Sequence, residues 1–294
     1  MHRLTPTNPL FTHLTENPPA WWSALKNDAE VSIQIRKENY IDIYFNGGNI
    51  IRRLEYKNDI FSGEIHYEYI PITGKDGDYV KFNFENGINF GQATPIPLNN
   101  FSQDAVAQIK SKIKQHYPRE SEKGIQYTFI RKDPFYLDAE FQYSDLIQNR
   151  SIRIDLVRVD PSRNKIVFVE VKTMGDSRLY TNEIVDQLSS YNQFILNHGD
   201  SLLAYYKTVF NIKRTLGILP SGLADLNIDN YTLLGKTLLL FGDCQKEWIN
   251  KFAPVLDAKI QNHAVGCYYF GAPKYNCDII GQTNANRHIY VPNL

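Results

Sequence analysis

The sequence predicts an α/β protein (α+β overall) whose two parts follow different patterns. Between residues 31 and 70, apolar and polar residues alternate, as in VSIQIRK and YIDIYF. The segment Asn46-Gly47-Gly48-Asn49 separates two such runs and is a strong hairpin signal. From Ser102 onward the apolar spacing becomes helical, and helices and strands follow in the order αβββα. We therefore expect an aromatic-rich antiparallel β-meander domain over residues 1–100 and a second domain over residues 101–294.

The composition is that of an ordinary globular protein. The 294 residues are 43% hydrophobic and 22% charged, with 32 Lys+Arg balanced by 32 Asp+Glu. These values exclude the disordered, collagen-like and coiled-coil classes. Three cysteines are too few for a disulfide framework, so we expect a cytoplasmic protein. The N-terminus lacks the apolar run of a signal peptide, and we expect no membrane span.

Charge is distributed unevenly between the two parts. Residues 1–100 carry 9 basic and 12 acidic side chains, whereas residues 101–294 carry 23 basic and 20 acidic ones. The lysines at 110, 112 and 114 are typical of a solvated helix face. Local cations of this kind also suit phosphate binding, so DNA is the partner that we expect for the second part.

The elements predicted after residue 101 alternate between helices and strands. A helix comes first, three strands follow, and a turn over 160–164 joins the second strand to the third. Two further helices, a short buried strand, another helix and a last strand complete the chain. The predicted ranges, in order, are 102–116, 136–143, 151–159, 165–173, 181–197, 200–215, 237–241, 245–261 and 266–270.

Two carboxylates and a lysine lie within the apolar strands. Asp155 lies between Ile154 and Leu156, and Glu170 and Lys172 lie in IVFVEVK, which is apolar enough to be covered on both faces. Residues i and i+2 of a strand share a face, so Glu170 and Lys172 point the same way. If the turn pairs the two strands, Asp155 is their neighbour, and the carboxylates form a hard-oxygen site suited to Mg²⁺. The alternative is an internal carboxylate–lysine pair that only satisfies itself.

These residues resemble a known family. Asp155, Glu170-Val171-Lys172 and the αβββα order are similar to the PD-(D/E)XK nuclease superfamily. Gln187 and Tyr191 on the following helix resemble the QxxxY motif of its RecB-like branch, and they share a helix face. The resemblance covers residues 102–245. It implies a restriction-endonuclease-like αβββαβ core with a mixed central sheet.

The resemblance also implies roles for the site residues. Asp155, Glu170 and the backbone carbonyl of Val171 would ligate Mg²⁺ or Mn²⁺. Lys172 would orient the attacking water and stabilise developing charge, and Gln187 and Tyr191 would support the site. Two departures stand out: Ile154 occupies the position before Asp155 where the family has proline, and three cysteines exclude the branch with an iron–sulfur cluster.

Glu140 is a further candidate ligand. In YLDAEFQY it alternates with Ala139 and Phe141, so it can bring another carboxylate from the neighbouring strand. The alternative is a surface glutamate on an edge strand.

The function expected from these features is a metal-dependent nuclease that hydrolyses phosphodiester bonds, with DNA as the expected substrate. The N-terminal β domain would recognise the substrate or a partner protein, and restriction of or defence against foreign DNA is the role that the family suggests. Two alternatives stay open. One is a catalytically idle nuclease-like domain that binds nucleic acid, and the other is an interaction protein that uses its aromatic meander.

Overall fold

The computed structural model describes residues 4–70, 78–84, 103–118, 120–145, 150–271 and 279–283. They divide into two units: the first comprises residues 1–118 and 208–219, and the second comprises residues 119–207 and 220–294. The sequence places the domain boundary near residue 100, and that division stays a prediction. Whether either part folds alone stays a prediction.

The first unit contains an antiparallel sheet of five strands in the order β1-β2-β3-β4-β5, which confirms the predicted meander. The hairpin between β2 and β3 is a two-residue turn in which Asn46 and Gly47 both have positive φ (46° and 85°), as a type I′ turn requires. The strands are β1 Ser32–Arg36, β2 Tyr40–Phe45, β3 Gly48–Lys57, β4 Ile60–His66 and β5 Tyr79–Asn83.

Three helices accompany this sheet: α1 Pro9–Glu16, α2 Ala20–Lys26 and α3 Gln103–His116. Helix α3 packs close to β3, since a Cβ added at Gly48 would lie 2.7 Å from Ile113 Cγ2. The side-chain amide of Asn46 also donates a hydrogen bond of 2.5 Å to the main-chain oxygen of Tyr117, just after α3. These contacts explain why α3 belongs to the first unit.

The second unit contains a mixed sheet in the order β12-β11-β10-β8-β7-β6, with β9 paired to β8 outside this path. Strands β6, β7 and β8 are antiparallel, β8, β10 and β11 run parallel, and β12 is antiparallel to β11. The strands are β6 Tyr136–Asp145, β7 Arg150–Asp160, β8 Lys165–Thr173, β9 Thr232–Leu233, β10 Thr237–Gly242, β11 Ala264–Phe270 and β12 Ile279–Thr283.

Helices cover both faces of the mixed sheet. Helix α4 (Glu122–Lys132) packs on one face, where Ile125 and Phe129 join a core cluster with Val169 and Val171. Helices α5 (Glu183–Leu216) and α6 (Lys246–Ile260) pack on the other face. Strand β8 is therefore buried along almost its whole length. The protein is a mixed α/β protein with an antiparallel sheet, a mixed sheet and six α-helices among the described residues.

Helix α5 replaces two predicted helices with one. The sequence predicts a break near Gly199, because glycine weakens a helix by about 1 kcal/mol relative to alanine. The 34-residue helix nevertheless runs through it. Its buried residues, such as Leu188, Phe194, Leu202 and Val209, continue on both sides of the glycine, and their packing outweighs the local preference.

The structure also bears on the expectations about membrane spans and cysteines. Within the described ranges, no helix is both long and apolar enough to cross a membrane. Cys244 and Cys267 are buried, and Cys277 lies outside the described residues.

Candidate functional site

Strand β8 carries Glu170 and Lys172 on the face that α5 covers. Their side chains are only 2% and 1% exposed. Val169 and Val171, which alternate with them, point to the opposite face and pack with α4. The period of two along a strand thus places two charged groups together within an apolar core.

Strand β7 brings Asp155 beside them. Leu156 pairs with Val169 in the antiparallel register, which makes Asp155 the neighbour of Glu170. Asp155 is 5% exposed, and its Oδ2 accepts a hydrogen bond of 2.8 Å from the main-chain nitrogen of Val171. Val171 itself pairs with Leu240 of β10, and the ligand role of its carbonyl oxygen stays a prediction.

Burial makes both carboxyl groups costly to ionise. Burial, and then the charge of Glu170, raise the pKa of Asp155 well above its ordinary value. Burial also raises the pKa of Glu170, although the Lys172 ammonium acts in the opposite direction. Glu170 Oε2 is buried without a hydrogen-bond partner. An added positive charge at this position would lower both pKa values and give Oε2 a partner.

The carboxylates of Asp155 and Glu170 fit a hard divalent cation that takes few of its ligands from the protein. Two carboxylates are present, and Mg²⁺ in phosphate-processing sites is usually held by one or two carboxylates together with waters and phosphate oxygens. A fuller cage is absent from the described part of the chain, where no group of three or more His, Cys, Asp or Glu side chains could hold a metal ion.

Lys172 is held by two acidic partners. Its ammonium contacts Glu170 Oε1 and lies 3.6 Å from Asp176 Oδ2. Asp176 in turn pairs with Arg178 through both carboxylate oxygens, at 2.6 to 3.1 Å. Burial acts to raise the pKa of Asp176, but the hydrogen bonds from Arg178 lower it below its ordinary value. The hydrogen bonds to Asp176 are also the main cause that raises the pKa of Arg178 above its ordinary value.

Asp176 and Arg178 are not among the residues that the sequence predicts for the site. They lie at the start of a short 3-10 helix, Ser177–Tyr180, and Asp176 caps it by accepting a hydrogen bond of 3.0 Å from Arg178 N. The sequence signal that could have identified Asp176 is an aspartate four residues after Lys172, in a turn that follows a buried strand.

Helix α5 places Gln187 and Tyr191 against the same site. The Gln187 amide donates to Glu170 Oε1 at 2.7 Å and contacts Tyr191 Oη at 2.7 Å. Tyr191 Oη donates to the main-chain oxygen of Arg153 at 2.5 Å. Burial, and then the charge of Glu170, raise the pKa of Tyr191. The i, i+4 spacing therefore brings both side chains to one face of α5, where they touch the strands that carry the carboxylates.

Glu140 lies within β6 with φ at +57°, between Ala139 and Phe141, which pair with Leu156 and Ile154 of β7 in continuous register. It is 8% exposed, so the expected alternative of a surface glutamate is wrong. Burial acts to raise its pKa, but its contacts with Lys123 and Arg153 lower it. Both carboxylate oxygens contact these cations, and its role as a metal ligand stays a prediction.

Glu122 is a further acidic residue near the site. It is the first residue of α4, after the N-cap Ser121, and its charge contributes to raising the pKa of both Asp155 and Glu170. No helix is predicted here from the sequence, although Ser121 followed by an acidic residue is a usual helix start.

The site thus unites Asp155, Glu170, Lys172, Gln187 and Tyr191 from two strands and one helix, with Glu140 close by. Comparisons with protein-family models, with curated proteins and with solved structures find no match to this chain.

Proposed function

We propose that this chain is a metal-dependent nuclease of the PD-(D/E)XK superfamily, RecB-like branch, that hydrolyses phosphodiester bonds of DNA. One observation carries the proposal. Lys172 and Gln187 both donate to Glu170 inside the second unit, Asp155 accepts from the Val171 main-chain nitrogen beside them, and Glu170 Oε2 has no partner among the described residues. Buried carboxylates with raised pKa values beside a lysine are typical of catalytic centres.

The element order supports the proposed restriction-endonuclease-like core. Helix α4 precedes the antiparallel strands β6, β7 and β8, helix α5 follows, and β10 pairs parallel to β8. This is the αβββαβ order with a mixed sheet that the resemblance implies. In this arrangement the carboxylates lie on two adjacent central strands.

The residues divide the work of hydrolysis. Asp155, Glu170 and the Val171 carbonyl would hold Mg²⁺ or Mn²⁺, which, when bound, acidifies a water and polarises the phosphoryl group. The Lys172 ammonium orients the attacking water and stabilises the charge that develops on the phosphate. Gln187 fixes the orientation of Glu170, and Asp176 fixes that of Lys172.

A catalytically idle domain is the second candidate, and one observation favours it. Lys172 contacts Glu170 directly, as an internally satisfied pair would. In that case the pair needs no metal, and the domain binds nucleic acid or a partner without cutting it. Thermal stabilisation by Mn²⁺ or Mg²⁺ separates the two candidates, because only a metal site gains stability from the ion.

The test of the proposal is a cleavage assay on the full chain. Linear and circular, single- and double-stranded DNA and RNA are incubated with and without Mg²⁺ and Mn²⁺. We expect metal-dependent cleavage of DNA by the wild-type protein. Asp155→Asn and Glu170→Gln should abolish this cleavage. Asp186→Asn, a change at an exposed position on α5, should retain it. Absence of cleavage of every substrate, together with no metal-dependent stabilisation, would overturn the proposal in favour of the idle domain.

The broader expectations belong to the same proposal. They are a cytoplasmic location, a role in restriction of or defence against foreign DNA, and recognition of substrate or a partner protein by the N-terminal β domain. Each depends on nuclease activity being found first.

A further inference from the structure

An aromatic cluster of Tyr180, Trp248 and Phe252 lies beside the site. Trp248 Nε1 donates a hydrogen bond of 3.0 Å to Tyr180 Oη, which itself donates one of 3.1 Å to the main-chain oxygen of Met174. The Phe252 ring lies edge-on to Tyr180 at 5.5 Å and tilted against Trp248 at 5.7 Å. The Tyr180 hydroxyl is therefore fixed at both sides, while 51% of the residue is exposed.

This cluster is continuous with the catalytic residues. Lys172 pairs with Phe241 across the parallel strands, so the two side chains share a face, and the Phe241 ring lies 6.1 Å from that of Trp248. Tyr180 ends the 3-10 helix that begins just after Asp176, and Arg178 of that helix contacts Gln187 at 3.5 Å. The cluster therefore lies next to the residues that we propose for hydrolysis.

The charges around the rings suit a phosphate backbone. Lys251 Nζ lies 5.2 Å from the centre of the Phe252 ring, and Arg178 is two residues from Tyr180. Helix α6, which carries both Trp248 and Phe252, has three lysines against two carboxylates. Exposed rings beside cations are the combination that binds single-stranded nucleic acid, since rings stack on bases and cations contact phosphates.

We propose that the aromatic cluster of Tyr180, Trp248 and Phe252 stacks on an unpaired nucleobase next to the bond that is cut, so that single-stranded nucleic acid is the preferred substrate. This inference rests on the proposed nuclease function. A base within a duplex is stacked on both faces and has none to offer to Tyr180. Because hydrogen bonds already hold the Tyr180 ring, stacking costs little side-chain entropy.

The test measures binding by the full chain, in Ca²⁺ and with gels to verify that the probe stays intact. The probe is a dye-labelled oligothymidylate of about 12 nucleotides, within the usual site sizes, followed by fluorescence anisotropy. We expect Tyr180→Ala to raise Kd by roughly 5- to 150-fold. Tyr180→Phe keeps the ring but loses the hydrogen bonds that hold it, and it should raise Kd much less than Tyr180→Ala does. Leu196→Ala, at a position 77% exposed on α5, is the control and should leave Kd unchanged.

A second measurement needs no variant. An oligonucleotide of the same length that lacks its central bases should bind the wild-type protein about as weakly as the intact one binds Tyr180→Ala, and the matching duplex should bind more weakly than the single strand. Equal binding of wild type and Tyr180→Ala, as expected if the rings contact a protein instead, would overturn this inference and leave the nuclease proposal standing. A wild-type protein that binds no nucleic acid would overturn both.

Discussion

The Gln187 amide on α5 donates a hydrogen bond of 2.7 Å to Oε1 of Glu170 on β8. The same nitrogen contacts Tyr191 Oη, which donates to the main-chain oxygen of Arg153 on β7. One face of α5 therefore ties together the two strands that carry the buried carboxylates. The orientation of Glu170 depends on this helix as well as on its own strand.

Gln187→Ala should reduce cleavage by about 10- to 100-fold, because groups that orient a metal ligand typically contribute that much. The fold should persist, since the amide is only part-buried. Gln193→Ala is a matched control: Gln193 lies on the same helix, is exposed and bonds only to Asn197 among the hydrogen bonds described. Initial cleavage rates of both variants at saturating Mg²⁺ provide the comparison. Equal rates for Gln187→Ala and wild type would contradict the role given to Gln187.

Lys172→Met tests whether the ammonium serves catalysis or only neutralises its neighbours. The change leaves Glu170 and Asp176 without their buried cation, so we expect the metal-free protein to lose about 3–5 kcal/mol of unfolding free energy. Mn²⁺ should restore much of this stability, because the ion supplies positive charge beside Glu170. Cleavage should still fall by roughly 10²–10³-fold, as for removal of one preorganised charge.

Lys165→Met on the same strand is the control for this experiment. Lys165 bonds to the Thr232 hydroxyl at the exposed start of β8, so its loss should affect neither melting nor cleavage. Melting curves with EDTA and with Mn²⁺, together with cleavage rates, decide the question. A Lys172→Met protein that cuts DNA at the wild-type rate would eliminate the proposed mechanism.

The core of the site could be predicted because it depends on short-range geometry. Glu170 and Lys172 are two residues apart on a strand, Gln187 and Tyr191 are four apart on a helix, and a short turn sets the register that brings Asp155 to them. Each of these relationships follows from the residue spacing within one strand or helix, or from the short turn between two strands. The mixed α/β class and the antiparallel meander were predicted from the same periods.

The other features of the site and of the fold depend on contacts that the spacing of residues within one element does not predict. Asp176 and Arg178 lie in a 3-10 turn, and Glu140 has a positive φ within β6, so strand alternation alone does not predict where their side chains point. Helix α4 contains Gly124 and β-branched residues that weaken helix propensity, and its packing on the sheet decides its conformation. Tyr180 and Trp248 come together from segments 68 residues apart.

The raised pKa of Asp155 predicts that the metal-free protein loses stability as pH rises. In the unfolded chain an aspartate ionises near pH 3.9, whereas burial and Glu170 hold the folded-state pKa higher. The folded state then binds more protons than the unfolded state, so its stability falls from about pH 4 upward until the pH passes the folded-state pKa. Asp155→Asn should remove the part of this loss that comes from ionisation of the Asp155 carboxyl. The amide oxygen can still accept the hydrogen bond from Val171, so the local structure should persist.

Urea unfolding in EDTA at about pH 5 and about pH 8 measures this effect. Wild type should lose more stability between the two values than Asp155→Asn does. Addition of Mn²⁺ should reverse the order at the higher pH, because only the wild type has both carboxylates for the ion. An equal loss in both proteins would show that Asp155 is not the group responsible.

Gly242→Ala tests the packing of α4 on the sheet. A Cβ at this position would lie 2.9 Å from Ile125 Cδ1 and closer still to Cγ2, in a core without room for it. We expect a loss of about 1–3 kcal/mol of unfolding free energy, as for other overpacked cores. Gly235→Ala is the control, because nothing lies within 4 Å of its added Cβ. Thermal melts of the two variants should differ accordingly, and a stable Gly242→Ala protein would mean that α4 packs less closely than described.

Asp176→Asn separates the position of Lys172 from its charge. The substitution keeps an oxygen that can accept the hydrogen bond from Arg178 N, so the 3-10 helix should form, but it removes the negative charge 3.6 Å from the Lys172 ammonium. Lys172 then has only Glu170 as an acidic partner among the ion pairs described. The ammonium should be drawn toward Glu170, where it competes with the metal ion for the carboxylate.

We therefore expect kcat to fall by about 10- to 100-fold and the Mg²⁺ concentration needed for half-maximal cleavage to rise, as for other groups that orient a metal site. KM for DNA should change little, since Arg178 remains available to phosphates. A merely structural role predicts a lower melting temperature with unchanged metal dependence instead. Asp176→Glu, which restores the charge on a longer side chain, should recover part of kcat, whereas equal kcat in Asp176→Asn and wild type would show that Lys172 is positioned by Glu170 alone.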